Sequence, residues 1–328
     1  MALSILFIGG TGNISLPCVK DALKAGHKVS VFNRGKRGAP LPEGVTSITG
    51  DMASDEDYAV LGQQNYDVVC QFMAFTPEQM KRDIATFTGK AGQYIFISSA
   101  SVYEKPPRHY VITEETPAVN PHWLYSRNKI ACEELLHNSK GLPWTIVRPS
   151  HTVRAGLPTM MHEDALVPLR AMAGKPLIVA GDGATPWTVT RCEDFAVPFV
   201  RLFGLKAALG ETVHITNDLA FTWNDIYTAI ARGFGAEANI VHVPSDTLVR
   251  YNPEWEGALI GDKTWSAIFD NSKLKGLVGD FTCSHDLDEI LSEPIRNTKA
   301  KIEADPSFDT ELDALMDRIA AEQSALGR

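Results

Sequence analysis

A tyrosine and a lysine four residues apart, Tyr125 and Lys129, are the strongest chemical pair in this sequence. The stretch Tyr125-Ser126-Arg127-Asn128-Lys129 lies in a segment that reads as helix, where i, i+4 spacing puts both side chains on one face. A phenol titrates near ~10, so at neutral pH it is a poor base, and lowering it to about 7 takes roughly 4 kcal/mol of phenolate stabilisation. A nearby ammonium in a site partly shielded from water would contribute to that. The phenol would then take a proton from a substrate hydroxyl, or return it in the reverse reaction. A YxxxK pair alone is common by chance. Its partner is the hydroxyl-rich run Phe96-Ile97-Ser98-Ser99-Ala100-Ser101-Val102-Tyr103, which ends an apolar strand-like stretch. Ser99 would hydrogen-bond the substrate oxygen and polarise it. Ser98 and Ser101 fit cap or turn roles, and Ser101 is also a candidate substrate contact.

These residues need a frame. Short apolar, β-branched runs alternate with longer amphipathic stretches in the first half, the pattern of βαβ units around a parallel sheet. Strands are predicted at 3–8, 28–32, 45–49, 67–72, 93–97 and 144–148. Helices are predicted near 13–24, 76–90 and 121–140, with a weaker one at 55–61. After Pro149 the pattern changes to helices near 163–173, 192–204, 223–234 and 310–326, mixed with strands near 177–180, 212–216 and 239–243. No repeat or linker interrupts the chain. The expected organisation is a first domain over 1–150 and a smaller α/β substrate lobe over 151–328, some segments of which return to the first sheet. A cleft between them, at the carboxyl ends of parallel strands, is where ligands bind in such folds.

The run Ile5-Leu6-Phe7-Ile8-Gly9-Gly10-Thr11-Gly12-Asn13-Ile14-Ser15 is a strand, a glycine turn and a helix start. Gly9 and Gly12 permit a tight turn and a close backbone approach to a pyrophosphate seated on the helix N-terminus. The context of first strand, first helix and second strand makes this a dinucleotide fingerprint, with Ser15 in place of the third glycine. Gly9, Thr11, Gly12, Asn13 and Ile14 are the expected contacts, and the fold class is a Rossmann-type doubly wound sheet. The second strand ends in Asn33-Arg34-Gly35-Lys36-Arg37 and carries no carboxylate to repel a 2′-phosphate. NADP is therefore preferred over NAD, with a solvated surface turn as the other reading of the cationic loop. Asp51, ending the third strand, is placed to accept from the adenine amino group or to cap a turn.

The Gly9–Ser15 turn, the Ser99–Tyr103 segment, Tyr125/Lys129 and Val147-Arg148-Pro149 stand in the order and spacing of the extended short-chain dehydrogenase/reductase superfamily. More narrowly, the chain resembles the NAD-dependent epimerase/dehydratase family from residue 1 to about residue 250. That resemblance implies a Ser99–Tyr125–Lys129 triad with an oxidised nicotinamide helping to ionise the tyrosine. It implies that Phe72, Met73 and Ala74, at the end of the fourth strand, line the cofactor, to which Tyr125 and Lys129 also reach. It implies a homodimer built on two helices of each subunit.

Departures narrow the reaction. Where dehydratases of the family carry Asp-Glu after the catalytic hydroxyl, this chain has Ala100-Ser101, so a 4,6-dehydratase is not expected. In the run Gly181-Asp182-Gly183-Ala184-Thr185-Pro186-Trp187-Thr188, Trp187 stands near the place where sugar-nucleotide epimerases hold a diphosphate-gripping arginine. Arg191 would compensate only from another face. A free sugar, sugar acid or other small hydroxy or keto compound is thus at least as well supported as a nucleotide sugar. Substrate contacts are expected along Ser150-His151-Thr152-Val153-Arg154. His151 is either a substrate partner or extra acid–base group, or a packed histidine. Arg154 reads an anionic substrate or forms a surface ion pair. Trp123 and Trp187 either wall the cleft or belong to the core, and His122 flanks the pocket.

Composition excludes other classes. The 328 residues carry a formal charge of −9 and no long cationic run, which argues against a nucleic-acid binder. The five cysteines are scattered without a CxxC pair, and the nine histidines lack metal-ligand spacing, so neither a disulfide frame nor a metal site is expected. The apolar run at 3–8 is too short for a membrane span or signal core, and a cytoplasmic protein is predicted. The leading expectation is an NAD(P)-dependent oxidoreductase or epimerase acting on a sugar-like small molecule. The alternative is a non-catalytic cofactor-binding scaffold, or an RNA-binding protein like the plastid stem-loop-binding relatives of the family.

Overall fold

The computed structural model describes residues 1–35, 41–161 and 163–326. Seven strands form one parallel sheet: β1 (Ser4–Ile8), β2 (Lys28–Asn33), β3 (Thr46–Thr49), β4 (Tyr66–Gln71), β5 (Ala91–Ile97), β6 (Trp144–Pro149) and β7 (Glu211–Ile215). Their spatial order is β7-β6-β5-β4-β1-β2-β3. The chain runs outward from β1 to β3, then returns to build β4 on the other side of β1. The reversal leaves a crevice beyond the carboxyl ends of β1 and β4, the place where open α/β sheets bind ligands.

The continuous apolar run of β1 follows from burial on both faces. Ile5 and Phe7 pack with Cys18, Val19, Phe195 and Phe199 under the helices Ser15–Lys24 and Cys192–Arg201. Leu6 and Ile8 face the other way, against Met80, Phe87, Cys132 and Leu136 of the helices Pro77–Phe87 and Leu124–His137. The segment predicted as a strand of the second lobe at 212–216 is β7, paired with β6 from Glu211↔Thr145 to Ile215↔Pro149. Residues 192–215 therefore complete the first sheet and its cover.

The rest of the second half forms its own core around Trp187, Trp223, Tyr227 and Leu291. It includes the pair Leu177–Ala180 with Ile240–Val243 and the terminal helix Thr310–Leu326, all near their predicted positions. Several elements escape the sequence pattern, among them the helices Ser245–Tyr251 and Ser272–Val278 and two that bear on the site. One is the helix Leu287–Ala304, whose interior Pro294 argues against helix locally. The other is a single π-turn, Leu259–Lys263. No helix among the described residues is long and apolar enough to cross a membrane.

Candidate active site

Tyr125 is the second residue of the Leu124–His137 helix, and Ser99 leaves the end of β5 in an extended conformation. The Ser99 hydroxyl is near enough to the Tyr125 phenol to favour its ionised form. Ser99 Oγ also lies 2.9 Å from Ser101 Oγ, to which Ser126 Oγ donates at 2.8 Å. The three serines form a hydroxyl chain that fixes the Ser99 rotamer against the Tyr125 helix.

Lys129 is fully buried, and its Nζ donates to the carbonyls of Ala74 (2.8 Å) and Ile97 (2.7 Å). It ties the ends of β4 and β5 together beneath the tyrosine. Its Nζ is 4.7 Å from the Phe75 ring centroid and 5.8 Å from that of Tyr125. Burial pushes this amine down to about 7, with the Cys132 and Glu133 charges opposing. Glu133, one helical turn on, is itself bound by Arg148 of β6 through Nε–Oε1 (3.0 Å) and Nη2–Oε2 (2.5 Å).

Burial raises the Tyr125 phenol above its ordinary value, the Ser99 hydroxyl lowers it, and the Asp262 carboxylate raises it again. Lys129 turns its nitrogen to backbone carbonyls, so in the protein alone the phenol keeps its proton at neutral pH, and the nicotinamide charge expected to lower it would be a further contribution.

Tyr125 lines one cavity, and Phe75, whose ring centroid is 6.5 Å from that of Tyr125, lines a second. The first, of about 250 Å³, is lined by Ser99, Ser101, Trp123, Tyr125, His151 and Trp187 together with Lys105, Asp262 and Lys263. Trp187 Nε1 donates to His151 Nδ1 at 3.0 Å, which leaves the ring proton on Nε2. Trp187 stacks on Trp223 with centroids 5.1 Å apart, so it is both core and wall. Trp123 sits 5.0 Å from the Tyr125 ring and packs on the π-turn; a Cβ at Gly257 would lie 2.3 Å from its Cδ1. His122 is part-exposed beside Glu256 and does not line this cavity.

The second cavity, about 440 Å³, is a groove over the β1–β4 crevice lined by Gly9, Thr11, Gly12, Asn33, Arg34, Asp51, Met73 and Phe75. Gly9 has φ +85°, and a Cβ there would lie 2.3 Å from Met73 Cγ, so only glycine fits under the methionine. Ser15 replaces the third glycine by bonding: its Oγ donates to Gly9 O (2.5 Å) and accepts from Gly12 N (2.9 Å). Asn33 Oδ1 accepts from Gly35 N (2.8 Å), and Asp51 Oδ1 from Ala53 N (2.9 Å), so both carboxamide and carboxylate shape turns at the groove rim. Lys36 and Arg37 lie outside the described residues. A turn that offers backbone N–H groups at a helix start, beside Arg34 and without an acidic residue at the end of β2, suits a phosphorylated dinucleotide.

Several expected contacts stand elsewhere. Phe72 turns into the core against Phe7 and Phe199, because alternation along β4 points it away from the groove. Ala74 is buried and contributes its carbonyl to Lys129. Ile14 packs against the core under β1, and the Asn13 amide donates to Thr152 O (3.0 Å). Arg154 is absent from the Tyr125 cavity. Its guanidinium donates to Asn13 O (2.9 Å) and Gly12 O (3.0 Å), with Glu293 3.8 Å away, so it clamps the glycine turn from the second half of the chain. Arg191 pairs with Glu289 instead of facing the cavity.

Lys105, Asp262 and Lys263 line the cavity, and so does Phe75 the groove, without having been anticipated. Lys105 lies just past the serine segment and could have been suspected by position. Asp262 and Lys263 sit on the π-turn, which no periodic pattern announces.

Residues 9–159 match the family model described as NAD(P)H-binding. The chain is 25% identical over 334 residues to 2'-dehydrokanamycin reductase of Streptomyces kanamyceticus, covering 99% of this chain and 93% of that protein. It is 28% identical over 266 residues to the chloroplast stem-loop binding protein of 41 kDa b of Arabidopsis thaliana, covering 76% of this chain and 66% of the relative. The solved epimerase Mth375 of Methanothermobacter thermautotrophicus superposes with a TM-score of 0.75 at 17% identity, over 92% of this chain and 94% of that one, which shows the shared fold. A glycine turn at a β1–β4 crevice and a Ser–Tyr–Lys cluster beside it fall within the stretch that matches the NAD(P)H-binding model, and the fold is the one shared with solved epimerase and short-chain dehydrogenase/reductase structures.

Proposed function

We propose that this protein is an NADP(H)-dependent oxidoreductase that reduces a keto group of a sugar-like small molecule, with Tyr125 as the proton donor. The observation that carries this reading is a cavity lined by the Tyr125 phenol, which keeps its proton at neutral pH, with the groove-lining Phe75 ring 6.5 Å from the Tyr125 ring. Reduced nicotinamide would supply hydride to the carbonyl carbon. Ser99 would donate to the carbonyl oxygen, and Tyr125 would protonate the alkoxide as it forms. Lys129 holds the strand ends that seat both groups, and its readily lost proton offers a path for reprotonating the phenol. The similarity to a reductase along nearly the whole chain supports the direction. An epimerase would use the same residues in both directions and retain its dinucleotide.

Turnover of keto sugars with NADPH, compared with NADH, tests the assignment. Arg34 in the groove and the absence of an acid at the end of β2 favour NADPH. A raised phenol pKa predicts a fall in the reduction rate in the alkaline range above the ordinary phenol value, as the proton donor is lost, with a smaller decrease near 7 as Lys129 gives up its proton. A rate that rises with pH through neutrality would point to a base instead. Arg154→Ala is expected to weaken NADPH binding roughly tenfold, since charge-assisted bonds of about 1.5 kcal/mol or more hold the glycine turn. Titration calorimetry reads it, and an unchanged Kd would release Arg154 from that role.

The similarity to a stem-loop binding protein favours a second reading, RNA binding. A salt-sensitive gel shift at physiological ionic strength would support it. The charge of −9 and the intact Ser99, Tyr125 and Lys129 weigh towards chemistry.

A further inference from the structure

We infer that Asp262 is the specificity residue of the Tyr125 cavity, where its carboxylate, held by Lys105, accepts from hydroxyl or ammonium donors of a phosphate-free polyhydroxylated ring. The inference rests on the cavity being the substrate site, as proposed above.

Asp262 is fixed in place by the same segments that carry the chemistry. Asn120 Nδ2 bridges the carbonyls of Ser101 (2.7 Å) and Gly261 (2.6 Å), joining the serine segment to the π-turn. Trp123, two residues before Tyr125, fills the space left by Gly257 just before that turn and Gly261 on it. A π-turn interrupts regular helix at a cost and recurs at functional sites. Here it delivers one carboxylate to the wall facing Ser99 and Tyr125.

Two lysines and one carboxylate line the cavity, and the carboxylate is paired with one of them. Lys105 Nζ is 3.4 Å from Asp262 Oδ1 and its side chain is 1% exposed, against 15% for the carboxylate. The lysine thus stands behind Asp262 and leaves the acceptor oxygens towards the cavity. Lys263 turns away and donates to the carbonyls of Thr159 (2.8 Å) and Met160 (2.9 Å). No arginine lines the cavity among the described residues. A diphosphate would meet a carboxylate and a lysine whose protons already go to two carbonyls, with no arginine fork to clamp it. At about 250 Å³ the space is also below the ~300–1,000 Å³ of drug-sized sites, and it fits a single ring. The indole faces of Trp187 and Trp123 suit the C–H face of such a ring, while Asp262 takes its donors.

The test uses the full chain saturated with NADP⁺ and titrated, by tryptophan fluorescence, with methyl β-D-glucopyranoside, D-glucosamine and UDP-glucose. Both phosphate-free rings are expected to saturate the signal, with UDP-glucose binding no more tightly. Asp262→Asn is expected to weaken both rings about tenfold, as for loss of a charge-assisted bond, with glucosamine the more affected. The same variant should move the alkaline limb of NADPH-dependent reduction to lower pH, because the charge beside Tyr125 is gone while Lys105 and Lys263 remain. A merely structural role would leave that limb in place. UDP-glucose binding more than about tenfold tighter (~1.4 kcal/mol), saturation by neither free ring, or wild-type affinity in Asp262→Asn would overturn the inference. Ring binding needs no hydride transfer, so rings that bind without turnover would count against the role of Tyr125 alone. Turnover of UDP-sugars would do the reverse.

Discussion

Replacing Tyr125 with phenylalanine is expected to lower NADPH-dependent turnover by roughly two to four orders of magnitude, the usual contribution of a positioned acid. The substitution removes one oxygen and keeps the ring that packs 5.0 Å from Trp123 and 6.5 Å from Phe75. Folding and dinucleotide affinity should therefore stay near wild type. The loss should appear in kcat more than in KM, because the proton moves only in the transition state. Ser99→Ala, which removes the partner hydroxyl, should produce a smaller loss, and the double variant should fall short of the product of the two. A Tyr125→Phe enzyme with an unaffected rate would end the assignment.

The second large effect concerns stability. Glu133 and Arg148 are both buried, with side chains 3% and 5% exposed, and they join the Tyr125 helix to β6. Arg148 also lies over the Tyr103 ring at 4.7 Å, and its Nη1 has no hydrogen-bond partner. Glu133→Gln leaves the guanidinium buried without its counter-charge and is expected to cost about 3–5 kcal/mol. Urea unfolding should show it as a lower midpoint at an unchanged slope. The double variant Glu133→Gln, Arg148→Met should recover much of the loss, since a neutral pair no longer buries an isolated charge. A midpoint equal to wild type in Glu133→Gln would show that the pair carries no net stability.

The parallel sheet was legible in the sequence because its strands are apolar on both faces and its helices have clear periodicity. Helix ends were placed too generously: the region predicted near 121–140 is helical over Leu124–His137. The candidate site was legible wherever function needs a side chain near a strand end, as with Gly9, Ser99 and Tyr125, all of which line the groove or the cavity. It was illegible where sequence proximity misleads about direction. Arg154 follows β6 by a few residues, yet it reaches back to the glycine turn. Phe72 sits one residue from Met73 and faces the opposite side of the sheet. Asp262 and Lys105 are far apart in the chain and meet only through a turn with no periodic signal.

The strand Glu211–Ile215 lies at one end of the sheet, and among the described residues no later strand joins that sheet. A fragment ending near residue 150 would lose that strand, the Cys192–Arg201 helix and the Arg154 guanidinium together. It would expose the hydrogen-bonding edge of β6 and the apolar underside of the sheet, where Phe195 and Phe199 normally sit. The nucleotide-binding half is therefore not a portable module. Fusion partners, split reporters and domain-swapped hybrids of this protein should be joined outside residues 1–215, because a junction inside that range leaves an edge that pairs with other copies.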